Sequence, residues 1–137
     1  MTRFDRPYLI VGLLYGVLGM LLGIYMASSQ DHGQSVTHAH LLLVGFLLSM
    51  LYAIVHRLWL PEPRRVLALL QFTAHHAGVL GMVGGLFLLY GGFVQPAVLE
   101  PVLAVSSLAV LAALVLMLVM VLVESGQPAS AGVGSPV

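Results

Sequence analysis

Apolar residues fill four stretches of the chain, about 7–27, 35–60, 63–90 and 100–123, parted by short runs of charged, amide, proline and glycine residues. Each stretch approaches or exceeds the roughly 20 residues that a helix needs to cross a hydrocarbon core. The pattern predicts an all-α integral membrane four-helix bundle occupying residues 1–125. It leaves a tail, 126–137, whose Gly, Ser, Pro and Ala content predicts disorder. Pro7, Pro63 and Pro101 stand where a first helical turn tolerates proline, and Ser35 or Thr37 is placed to cap the second helix. Arg3 and Arg6 before the first stretch, with the small Ala27-Ser28-Ser29 after it, also suit a signal peptide. The apolar run is longer than a usual signal core, so a retained helix is expected.

Along the first stretch Gly12, Gly16, Gly19 and Gly23 recur at spacings that keep them within one narrow stripe, the pattern of a close helix–helix contact. Gly78, Gly81 and Gly85 repeat the device less regularly on the third stretch. At about 100° per residue, His38, Gly45, Ser49, Tyr52 and His56 share one face of the second helix, and His40 points away from it, toward Leu47 and Leu51.

Composition confirms the class: 60% of the 137 residues are hydrophobic and only 7% charged, so the lipid bilayer is the expected surrounding and nucleic acid is not an expected partner. All five basic residues are arginines, at positions 3, 6, 57, 64 and 65, and loops 28–37 and 91–99 have none. That asymmetry predicts both termini on the cytoplasmic side and His38-Ala39-His40 near the outer face. The absence of cysteine excludes disulfides, thiolate ligands and covalent heme attachment.

Ionisable side chains inside a membrane segment are costly and point to function. His38 and His40 project to nearly opposite sides of their helix, so one ion does not easily take both; two sites, or one site and one support, are expected. His75 and His76 fall well inside the third helix about 100° apart, so at most one of them is expected to face the crevice of the glycine stripe. His56 beside Arg57 and His32 beside Asp31 fall at membrane boundaries and are expected to be solvated.

Neutral imidazoles suit heme iron, copper or zinc. Zinc usually wants three or four converging ligands, often with carboxylates, and no Asp or Glu is placed mid-membrane. Sparse histidines on facing apolar helices, with glycines clearing room for a macrocycle, fit noncovalent heme b (protoheme) best. His38, His40 and His75 are the candidate metal ligands, with His76, Tyr52 and Gly45 as further cofactor-binding candidates. Copper held by the same histidines with Met20, Met26 or Met50 is the alternative, and a cofactor-free structural or assembly subunit the other.

The segment Thr37-His-Ala-His-Leu-Leu-Leu-Val-Gly-Phe, continuing to Tyr52 and His56-Arg57, resembles the His-x-His helix in the catalytic subunit of heme-copper oxidases and nitric oxide reductases. The whole four-helix span resembles small bacterial membrane proteins described as oxidase subunit I-like. In those the first helix reads like Leu13-Leu-Tyr-Gly-Val-Leu-Gly-Met-Leu-Leu-Gly-Ile-Tyr-Met, and the third carries His-x-x-x-His. Here His75 matches the second histidine of that pattern and Gln71 stands in place of the first. The resemblance implies a bacterial inner membrane location, and two histidines of His-x-His that serve different hemes. It also implies one of the three four-helix arcs of the large subunit, hence a homo-oligomer, a trimer before a dimer, that covers His40 and draws on an electron donor.

His75-His76 is similar to the copper-binding histidine pair of the oxidases, but counting from the shared turn leaves His40 and His75 offset by roughly 10 Å along the membrane normal. With no membrane Lys, Asp or Glu to relay protons, and only Tyr52, Ser49 and Gln71 in their stead, terminal oxidase or reductase activity is not expected. The expected work is electron transfer, or binding of O2 or NO.

Overall fold

The computed structural model describes residues 4–60 and 62–124 and folds them into four helices, with no strand among the described residues. Helix α1 runs Asp5–Ser29, α2 Ser35–Leu58, α3 Arg65–Tyr90 and α4 Pro96–Glu124. Each is long and apolar enough to cross a membrane, the arrangement of a multi-pass membrane protein. The tail, 126–137, lies outside the described residues.

The helix ends differ from the punctuation in three ways. Pro7 does fall in the first turn of α1, but Pro63 precedes α3, and Pro101 lies inside α4, which starts instead at Pro96. Proline at the first helical position needs no N–H partner, so Pro96 takes the role expected of Pro101. Neither Ser35 nor Thr37 caps α2; Gln34 precedes the helix, and the Thr37 hydroxyl donates to Gln34 Oε1 at 2.7 Å. α1 ends at Gln30 in the left-handed region (φ 58°), where its side-chain amide donates to the Ala27 carbonyl.

Helix α2 is not uniform. Leu41–Leu47 is π-helical, with the Leu48 N–H reaching back five residues to the Leu43 carbonyl. The wider turn changes which residues share a face: Thr37, Leu41, Gly45 and Ser49 are all buried at a strict spacing of four. In an ordinary helix that spacing would drift around the axis.

Helices in lipid gain no hydrophobic drive from meeting one another, so close approach of backbones has to hold them. Both glycine stripes do this. On α1, a Cβ at Gly12 would lie 2.9 Å from Ser49 Cβ, at Gly16 3.0 Å from the Phe46 ring, and at Gly19 2.9 Å from Leu42 Cγ. On α3, a Cβ at Gly78 would lie 2.8 Å from the Ser106 carbonyl, and at Gly85 2.8 Å from Leu103 Cδ2. The fold is therefore two tightly seamed antiparallel pairs, α1 with α2 and α3 with α4. Between the pairs, Tyr8, Tyr52, Ala53, Leu60, Ala68, Met117 and Met120 form one buried cluster and Tyr15, Leu41 and Val79 a second.

The seam between α3 and α4 predicts a contrast. At Gly78 the obstructing atoms are backbone, Ser106 O and Val110 N, and cannot swing aside, so Gly78→Ala is expected to destabilise by about 1–3 kcal/mol. Gly84, one turn and a half along, meets nothing within 4 Å, and Gly84→Ala is expected to be neutral or to gain up to about 1 kcal/mol of helix propensity. Unfolding by SDS titration in detergent micelles reads both, and equal effects would mean that the seam does not hold the pair.

Candidate functional site

The polar residues fall into two groups, one between the helix pairs and one at the His38 end of α2. The first is centred on Tyr8, which is fully buried. Rings of Phe72, His76, Tyr52, His56 and His75 surround it with centroids 4.9 to 5.9 Å away. Its hydroxyl donates to Gln71 Oε1 across from α1 to α3. His75, also fully buried, shares a 3.0 Å hydrogen bond between its Nε2 and the Ser49 hydroxyl of α2. His76 Nδ1 meets the Tyr15 hydroxyl of α1 at 3.2 Å. Among the described residues, Tyr52 Oη, Gln71 Nε2, His75 Nδ1 and His76 Nε2 are buried without a hydrogen-bond partner.

Both adjacent histidines therefore face inward, where the helical wheel allowed only one. The reason is that α3 meets two helices on that side: His75 reaches α2 and His76 reaches α1, directions about 100° apart. Their ring centroids are 4.9 Å apart. His56 is likewise not solvated but buried, stacked on Tyr8 and beside Phe4, because α1 begins before Pro7 and covers it. His32 is exposed in the α1–α2 loop, as expected.

The second group is the His38-Ala39-His40 pair. His38 Nδ1 lies 2.9 Å from the Gly19 carbonyl of α1, with the ring seated over Gly23. His40 Nδ1 lies 2.9 Å from the Val36 carbonyl one turn earlier in α2, and its side chain is half-buried rather than bare to lipid. A carbonyl oxygen only accepts, so Nδ1 carries a proton in both rings, which in the neutral imidazole leaves the lone pair on Nε2.

Distance separates the groups. Ser49, which His75 touches, lies eleven residues beyond His38, about 16 Å along α2. The chain does not bring His38 or His40 together with His75, and no group of three His, Asp or Glu suited to one metal ion forms among the described residues. The glycines are in close contact with neighbouring helices, and Gly16 also lines an apolar groove of about 490 Å³ between α1 and α2, beside Leu42 and Phe46. The α1 stripe is closed by α2, and Gly45 receives the Tyr15 ring, 3.1 Å from where a Cβ would stand. Tyr52 sits in the inner cluster, edge-on to His75.

Tyr8 and Tyr15, the residues that organise the inner group, were not singled out by helical periodicity of the histidines. Their signal is a pair of hydroxyl-bearing rings in the buried register of α1, Tyr8, Gly12, Tyr15 and Gly19. No protein-family model, no curated protein and no solved structure matches this chain.

The Tyr8–Gln71 contact yields a double-variant prediction. Tyr8→Phe strands a buried Gln71 carbonyl and is expected to destabilise by about 1–3 kcal/mol. Gln71→Leu on that background removes the stranded group and is expected to recover most of the loss. The same SDS titration measures both, and additive losses would show that the two side chains act independently.

Proposed function

We propose that the chain binds heme b in a bacterial inner membrane, with both termini cytoplasmic, and works in electron transfer or in the binding of O2 or NO. The observation that carries this reading is the pair of backbone contacts on α2. His38 and His40 each give their Nδ1–H to a main-chain carbonyl, which in the neutral imidazole leaves Nε2 as the atom that would hold iron. The donor set thus fits heme, and the lack of cysteine makes the attachment noncovalent.

Packing supports one placement for it. The α1–α2 seam is closed at every glycine, so the reading assigns His40 as the iron ligand and puts the porphyrin on the outward side of α2, where Leu47 and Leu51 are exposed. A second copy of the chain covers that side, in a homo-oligomer with a trimer favoured over a dimer. Heme held there supplies a one-electron iron couple or an iron site for a gas. The Val36 carbonyl fixes the orientation of the His40 ring, and the exposed leucines exclude water. His75 and His76 stand outside this site.

A cofactor-free structural subunit is the second reading. It is favoured by the hydrogen bonds of His75 to Ser49 and His76 to Tyr15, which tie α3 to α2 and to α1 as purely structural histidines do.

An absorption spectrum of detergent-purified protein from heme-replete cells, oxidised and then dithionite-reduced, with extracted heme quantified, tests the proposal. Heme b bands that sharpen on reduction are expected, lost in His40→Ala and retained in His75→Ala. Unchanged heme content in His38→Ala, His40→Ala and His75→Ala alike would overturn it. A colourless protein would also overturn it, in favour of copper handling if metal analysis finds copper and of the structural reading if not.

A further inference from the structure

At the opposite end of α2 from His38, a groove of about 540 Å³ opens on the outer side of the α1–α2 pair. Its polar groups are confined to its mouth. Arg6 from α1 and Arg57 from α2 stand there, with Asp5 ion-paired to Arg57 at 3.5 Å. Beyond them the wall is apolar, running back along α2 through Ile54 to Met50 and along α1 to Leu9. From Arg57 to Met50 is seven residues, about 10 Å of hydrocarbon-compatible surface. Leu9 and Ile54 are half exposed, so the groove is entered sideways from the bilayer rather than from water.

We propose that this groove is a binding site for one anionic glycerophospholipid. Two guanidiniums against one carboxylate leave the mouth with a net positive charge, and a guanidinium binds a phosphate through paired N–H donors. The placement of the arginines at the end of an apolar wall matches a lipid whose charge and hydrocarbon are joined end to end. Basic pockets between membrane helices on the arginine-rich side recognise such headgroups. A zwitterionic lipid brings its own cation to the arginines and a neutral isoprenoid brings no charge, so neither complements the mouth as well.

Native mass spectrometry of the full chain released from detergent, titrated with dioleoylphosphatidylglycerol or dioleoylphosphatidylcholine, tests the site. One phosphatidylglycerol per chain is expected, retained at least tenfold better than phosphatidylcholine. Arg6→Gln with Arg57→Gln should abolish the preference, whereas Arg64→Gln with Arg65→Gln, at the same end of the bundle but outside the groove, should preserve it. Asp5→Asn should strengthen retention, because it removes the carboxylate that competes with phosphate for Arg57. Equal retention of both lipids would overturn the proposal. So would a preference that survives the Arg6/Arg57 change or is lost with Arg64/Arg65, or weaker retention in Asp5→Asn.

Discussion

Gly78 sets the α3 backbone against the α4 backbone at Ser106, and Gly12 sets α1 against α2 at Ser49; the remainder of the molecule follows from these two contacts. In lipid, apolar side chains gain nothing by leaving solvent for a neighbour, so helices associate where their surfaces interlock. Two seams make two pairs, and two close-packed pairs cannot also lie flush against each other along every face. What remains between them is a gap too wide for small residues. Tyr8, Tyr15, Tyr52, His56, Gln71, Phe72, His75 and His76 fill it, which is why the polar inventory of the membrane interior lies almost wholly between the pairs.

Filling a gap with tyrosines and histidines has a cost that leucine would not incur, since every buried polar atom asks for a partner. Five of these side chains meet the demand across helices: Tyr8 with Gln71, Tyr15 with His76, and His75 with Ser49. Each contact joins α3 to one of the two helices of the other pair, so the hydrogen bonds register the pairs against each other where shape alone is permissive. Interhelical bonds of this kind contribute about 0.6 kcal/mol on average in membranes, less than a seam contact. Their role here is to choose one alignment among several that packing would tolerate.

Much of this was legible in the residues. The four helices followed from apolar length, the two glycine seams from spacings of three and four, and the inward face of α2 from Gly45, Ser49, Tyr52 and His56. The errors share a physical cause, which is that a single helical wheel knows nothing of how many neighbours a helix has. His75 and His76 both turn inward because α3 faces two partners, and His56 is buried because α1 begins two residues before its proline, bringing Phe4 and Tyr8 over it. The π-helical turn at Leu41–Leu47 was not legible at all, because nothing in a run of leucines distinguishes a wide turn from an ordinary one. Only the strict four-residue spacing of Thr37, Leu41, Gly45 and Ser49 hints at it afterwards.

The same seam that organises the fold links assembly to chemistry in the proposed heme reading. Because α2 packs against Gly12, Gly16 and Gly19 and His38 against Gly23, that reading would place the heme on the outward side of α2, where His40 would hold it. His38 is turned into α1, and His75 touches Ser49, nine residues and about 13 Å along α2 from His40. On that reading one chain would offer the imidazole of His40 to the heme. A second imidazole from another copy would suit the heme to electron transfer, and a single one would suit it to binding O2 or NO. On the proposed reading the way copies meet across His40 would select the chemistry, so oligomer geometry would be a functional variable, distinct from the stability that the glycine seams already supply within each chain.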